Sequence, residues 1–148
     1  MDDLIFRKSI RRSEKYGHIS SSNREILEEK GIRKLLIIKK EWLDLILSGK
    51  KVWEIRSKNT RIRGKIGLIE SNSSNIIGEC EIIDSNEISF DTYQNTTSKH
   101  CINDTTSKPY NRIYAWEIKN AKRFEKPIPY IHPLGAVIWV DLKNLSSI

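Results

Sequence analysis

Gly49-Lys50-Lys51-Val52-Trp53-Glu54-Ile55-Arg56 decides how this 148-residue chain is read. The stretch follows a short apolar segment, Glu41 to Ser48, and its own residues alternate in polarity. In an extended strand successive side chains point to opposite faces. Lys51, Trp53 and Ile55 are therefore expected on one face, and Val52, Glu54 and Arg56 on the other. A carboxylate and a guanidinium side by side on a strand, reached past a glycine turn and the Lys50-Lys51 pair, form a candidate polar binding floor.

Working outward, Lys34 to Lys39 reads as a buried strand. Glu41 to Ser48 reads as a two-turn helix with Trp42, Leu45 and Ile46 at core spacing and Gly49 at its C-terminal cap. Downstream lie a basic turn over 58–64 and two strands, 65–70 and 76–84, joined by a Ser-Asn loop. The segment 85–110 is polar and irregular, with a short helix near 88–93. A strand over 112–118 follows, then a connection over 123–129 stiffened by its prolines, then a last strand over 135–142. Residues 1–33 read as a basic N-terminal extension, partly helical or disordered. They carry the cluster Arg7-Lys8 and Arg11-Arg12 and a helix capped by Ser22 or Asn23 and stopped by Gly31. The few apolar positions of that helix can dock on the main body, which spans 34–148. Five or six strands with one early helix predict an α+β domain, a small mixed, mostly antiparallel β-barrel with short flanking helices.

Composition narrows the function classes. No apolar run approaches the ~20 residues that cross a bilayer. Met1-Asp2-Asp3-Leu4-Ile5-Phe6 lacks the basic-then-apolar order of a signal peptide, so a cytoplasmic protein with no membrane partner is expected. The net charge is +7 and it is unevenly placed: residues 1–64 hold 17 Lys and Arg against 9 Asp and Glu, and residues 65–148 hold 9 against 10. That asymmetry points to an anionic partner, nucleic acid first. The plainer alternative is a lysine-rich surface that reflects biased composition. Two cysteines without a CxxC pair and three scattered histidines argue against zinc. No metal or cofactor is expected.

The order of elements around the opening stretch resembles the ASCH domain of the PUA-like superfamily. The residues that carry the resemblance are Trp42, Gly49, Lys51, Glu54 and Arg56, then Arg61 and Arg63-Gly64. Ile77-Gly78, Tyr114-Ala115-Trp116, Phe124 through Pro127 and Pro129, and a terminal Gly-x-x-x-Trp-x-Val strand agree with it. The match runs over roughly residues 34–142. The resemblance implies a closed barrel with a cleft beside the motif strand that accepts RNA, a base or a modified nucleoside. In that reading Lys50, Lys51, Glu54, Arg56, Tyr114 and Trp116 line or flank the cleft, and Arg61 and Arg63 hold the backbone. Aromatic faces stack bases, and basic side chains take phosphate.

Some relatives in this family are hydrolases, and that supplies the alternative reading: a small amidohydrolase or ribonuclease acting on modified nucleosides or RNA, with Lys51 and Glu54 as its catalytic pair. One branch resembles an amidohydrolase that uses a lysine, a threonine three residues later and a glutamate. Here the position three after the lysine is Glu54, so the hydroxyl is missing. Lys51 beside a carboxylate still suits a proton shuttle. A third reading has the basic segment 1–33 recruiting an acidic protein partner.

Overall fold

The structure is a computed structural model and describes residues 17–147; the basic cluster over residues 7–12 lies outside the described residues. In chain order the elements are α1 (Ser21–Glu29), β1 (Lys34–Ile38), α2 (Lys40–Leu47), β2 (Trp53–Arg56), β3 (Gly64–Glu70) and β4 (Asn75–Ile88). Then come α3 (Phe90–Gln94), α4 (Thr97–His100), β5 (Ile113–Pro129), β6 (Trp139–Asp141) and a 3-10 turn (Leu142–Asn144). The six strands form one mixed sheet in the order β2-β5-β4-β3-β1-β6. β1 runs parallel to β3 and antiparallel to β6, and β2 is antiparallel to β5.

The α+β class expected from the sequence is present, but the barrel is not. A barrel needs its end strands to pair. Here the hydrogen-bonded order ends at β2 and β6, only four and three residues long. The last strand is shorter than the expected 135–142 because Gly135, at φ +80°, turns the chain before Trp139. β5 is longer than expected and absorbs the segment 123–129. Its pairing with β2 stops at Glu117, so Pro127 and Pro129 remove no N–H from that ladder.

The described chain divides into two compact units. The first comprises residues 17–40, 66–78 and 124–147. Its core packs Leu27, Leu35, Ile69, Phe124, Val140 and Leu145. Gly67 is closely packed there: a Cβ would stand 2.5 Å from Leu35 Cδ2 and the leucine would have to shift. α1 starts two or three residues earlier than predicted: the cap is Ser20, whose hydroxyl accepts the Asn23 N–H at 3.2 Å. Ile19, Leu27 and Ile32 are fully buried, so apolar positions on either side of and within α1 do enter this core.

The second unit comprises residues 41–65 and 79–123. Its core is Ile55, Tyr93, Ile113 and Ala115, with Trp53, Ile88, Phe90 and Ile102 packed on it. α2 buries Leu43 and Ile46, while Trp42 and Leu45 are only partly covered. Among the described residues no helix is long and apolar enough to cross a membrane.

Candidate functional site

The register of β2 on β5 makes a two-faced ribbon in the second unit. Trp53 pairs with Glu117, Glu54 with Trp116, Ile55 with Ala115 and Arg56 with Tyr114. Directly opposite residues in an antiparallel pair share a face, and so do residues i and i+2. Ile55, Ala115 and Ile113 therefore face the core, and Glu54, Arg56, Tyr114 and Trp116 share the other face. Exposure is graded along that second face. Glu54 and Trp116 are buried, whereas the Arg56 side chain is 19% exposed and Tyr114 is half-buried. The open end is the Arg56–Tyr114 pair.

Lys51 is not on the strand, contrary to the expected alternation. α2 closes in a Schellman turn: Gly49, at φ +81°, donates to the Ile46 carbonyl, and Lys50 donates to Leu45. Lys51 N–H shares the same Leu45 carbonyl at 3.0 Å. This turn keeps Lys51 off the ladder and sends its side chain inward, where it is 2% exposed. The ammonium donates to the His100 carbonyl at 2.7 Å and lies 5.1 Å from the Trp42 ring centre. It is 3.6 Å from Glu54 Oε1, an ion pair rather than a hydrogen bond.

Glu54 sits between two cations. Its Oε2 accepts from Arg56 Nε at 3.0 Å and from an Arg56 terminal nitrogen at 2.8 Å. The guanidinium stacks on Trp116, 5.5 Å from the ring centre, and the indole N–H donates to the Lys58 carbonyl at 3.0 Å. Burial holds the Lys51 ammonium below its ordinary pKa; the Glu54 carboxylate opposes that shift without cancelling it. The cluster thus consists of two cations about one carboxylate, with Arg56 as its reachable edge.

The floor of the Lys51 pocket is the end of α4. His100 is fully buried; its Nε2 faces the Tyr93 carbonyl at 2.7 Å, and its Nδ1 accepts the Ile102 N–H at 3.0 Å. The ring is therefore the neutral Nε2–H tautomer, stacked on Tyr93 at 4.8 Å. Burial, reinforced by the Lys51 charge, lowers its pKa against the Tyr93 bond that raises it.

The remaining predicted residues fall outside this cluster. Lys50 is exposed beside it. Arg61 is exposed on the loop before β3, and Arg63 folds back onto its own loop, donating to the Thr60 and Ile62 carbonyls at 2.8 and 2.9 Å. Arg63 also pairs with Asp84 at 3.6 Å. Tyr114 is covered on one side by Arg112, 5.7 Å from the ring centre, and Arg112 is held by Glu87 at 2.6 Å. Sequence reasoning missed His100 and the second-unit role of Trp42. The signal for Trp42 was its position nine residues before Lys51 on a helix that ends in a reversing turn. His100 carried no such signal, because a four-residue helix has too little periodicity to read.

Both cysteines are free. Cys80 is fully buried, and burial, with Glu54, Glu79 and Glu81 nearby, pushes its thiol up to about 12. Cys101 is half-buried at φ +62° and donates to the Lys50 carbonyl at 3.4 Å. Among the described residues no group of three or more His, Cys, Asp or Glu side chains is placed to hold a metal.

Comparison with known proteins bears on the fold and the family. The sequence profile of the ASCH domain matches residues 36–128, which is more than half of the chain. No curated protein sequence matches. Among solved structures, the chain is similar to an ASCH protein from Zymomonas mobilis at 14% identity, with a TM-score of 0.56, over 65% of this chain and 72% of that one. A point mutant of the Zymomonas mobilis protein matches with the same identity and TM-score over 65% of this chain and 74% of its own, and a second mutant with 16% identity and a TM-score of 0.53. At this identity the structural likeness speaks to the fold alone.

Proposed function

The chain belongs to the ASCH domain family, and from that premise we propose that it binds single-stranded nucleic acid, RNA before DNA, holding a base or modified nucleoside against the Arg56–Tyr114 end of the β2–β5 face. The observation that carries this reading is the gradation along that face. A carboxylate buried between two cations fixes the plane of a guanidinium whose side chain is still 19% exposed. A fixed guanidinium suits phosphate or a base edge, because its donors are planar and already oriented. Tyr114 beside it supplies an aromatic surface of the kind on which bases stack, worth about 1–3 kcal/mol per base. Lys50, Lys58 and Arg61, all exposed, supply the charge that draws in a polyanion. In this reading Lys51 and Glu54 brace Arg56 from behind and do not touch the ligand.

The test is a titration of fluorescent single-stranded RNA and DNA oligomers at several salt concentrations. Arg56→Ala and Tyr114→Ala are expected to weaken binding and flatten any base preference. Lys50→Ala and Arg61→Ala are expected to weaken all sequences alike and lower the salt slope by about one each. Unchanged affinity and salt slope in Arg56→Ala sinks the reading.

A second reading, a small hydrolase of modified nucleosides or RNA, is favoured by one observation: a buried lysine whose pKa is lowered beside a carboxylate. Such a group gives up its proton more readily than a solvated lysine, as proton transfer requires. Incubation with a nucleoside panel and with RNA, with and without divalent cations, separates the two. Product that disappears in Lys51→Met establishes the enzyme, and binding without product leaves the module.

A further inference from the structure

Three consecutive residues at the end of α4 are stitched, in reverse order, to the three residues that precede β2. The Lys99 carbonyl accepts the Val52 N–H at 2.9 Å. The His100 carbonyl accepts the Lys51 ammonium at 2.7 Å. The Cys101 thiol donates to the Lys50 carbonyl at 3.4 Å. Lys99 also lies over Trp53, 4.7 Å from the ring centre. The central stitch stands apart because it is buried and made to a charged group, the stronger kind of hydrogen bond.

We infer that His100 is a positioning residue for Lys51: its locked imidazole fixes the peptide carbonyl that holds the buried ammonium against Glu54, and so sets the guanidinium of Arg56. The geometry supports each link. The ring is held from both nitrogens, by the Tyr93 carbonyl and the Ile102 N–H, and from its face by Tyr93. Those contacts bracket the His100 peptide on both sides, at the last position of a helix of only four residues. So short a helix has little stability of its own, so the carbonyl direction depends on the ring. An imidazole is the side chain that meets this demand, because one nitrogen must donate while the other accepts. Phenylalanine keeps the stack and loses both bonds. Glutamine can keep the donor to Tyr93. Around the ammonium itself the facing groups are Glu54, the His100 carbonyl, the Trp42 ring, Cys101 and, farther out, Arg56.

The inference rests on the binding reading for its functional consequence, though not for its structural claim, and the experiment separates the two. The full chain is labelled with 13C at lysine Cε, and the Lys51 resonance is assigned from Lys51→Met. In His100→Phe the Lys51 signal is expected to move toward those of solvent-exposed lysines, with partial recovery in His100→Gln. A folded His100→Phe with an unmoved Lys51 signal overturns the inference; if His100→Phe does not fold, the same reading is taken on His100→Gln against wild type. Affinity for a single-stranded RNA 12-mer is then measured in a double-mutant cycle. His100→Phe is expected to weaken binding about tenfold in the presence of Lys51 and not at all in the Lys51→Met background. An equal loss in both backgrounds overturns the coupling. If Arg56→Ala leaves RNA affinity unchanged, the binding reading fails, while the lysine resonance still decides the role of His100.

Discussion

The two units both use an acid between two lysine or arginine side chains, with opposite physics. In the first unit Asp141 pairs with Lys34 across β1 and β6 and lies 4.0 Å from Lys143. Lys34 and Lys143 are well solvated, with side chains 42% and 78% exposed. In the second unit Glu54 lies between Lys51 and Arg56, and the lysine and carboxylate are almost wholly shielded. In pairs of the first kind the lysines stay in water and only the acid, its side chain 15% exposed, is drawn in, so each pair contributes little. In the second kind each ion depends on its partners, because water no longer does the work. The first arrangement trims a sheet edge. The second is costly to assemble, and a cluster that costs stability without an evident structural return is where function is sought.

The largest effect that would sharpen this contrast is on Glu54. Glu54→Ala leaves the buried Lys51 ammonium without its counter-ion and with the Arg56 guanidinium nearby, and a loss of about 3–5 kcal/mol in urea unfolding is expected. A loss below about 1 kcal/mol would mean that the cations about Glu54 are solvated like Lys34 and Lys143 about Asp141. Next comes the apolar contrast in the first unit. Gly67→Ala drives a methyl into Leu35 and is expected to cost about 1–3 kcal/mol with no effect on RNA binding.

Lys51 gives a pH-dependent effect of intermediate size. Its pKa is lowered on folding from an ordinary 10.5, so between the two values the unfolded chain holds a proton that the folded chain has released. Stability therefore gains from this group as pH rises through the folded pKa, until 10.5 is passed, by about 1.4 kcal/mol for each pH unit in that window. Lys51→Met should lose that rise. Urea midpoints of wild type and variant between pH 7 and pH 10 test it, and parallel curves break the claim. Lys34→Met, the counterpart change in the first unit, is expected to cost less than about 1 kcal/mol.

The smallest effect is chemical. In the folded protein a disulfide reagent should modify Cys101 and leave Cys80 untouched until unfolding, since the Cys80 thiol is buried and its pKa is pushed up to about 12. Two rapidly reacting thiols in the native protein would show that the second unit opens far more readily than its packing implies.

Much of this was legible along the chain. Local signals are sufficient where one residue type fulfils a local need. Gly49 closes a helix because the turn requires a positive φ, and Leu35-Leu36-Ile37-Ile38 has to be a buried strand. The pairing of Glu54 with Arg56 follows from their separation by two on a strand, and the register adds Tyr114 and Trp116 to the same face. The errors came where a distant partner overrode local pattern. Alternation placed Lys51 with Trp53 and Ile55, but the turn after α2 ended the alternation and left Lys51 to a carbonyl 49 residues away. Prolines suggested a connection at 123–129, but that stretch of β5 lies beyond its pairing with β2.

By itself, then, the sequence determined the element types, the ASCH-type motif and which charged residues share a strand, because propensity, turn chemistry and period-two alternation act within a few residues. Tertiary structure alone decided that the sheet stays open, that Lys51 and Glu54 are withdrawn from solvent while Arg56 is not, and that His100 holds the lysine. Burial depends on what packs against a side chain, and that is set by chain segments tens of residues away.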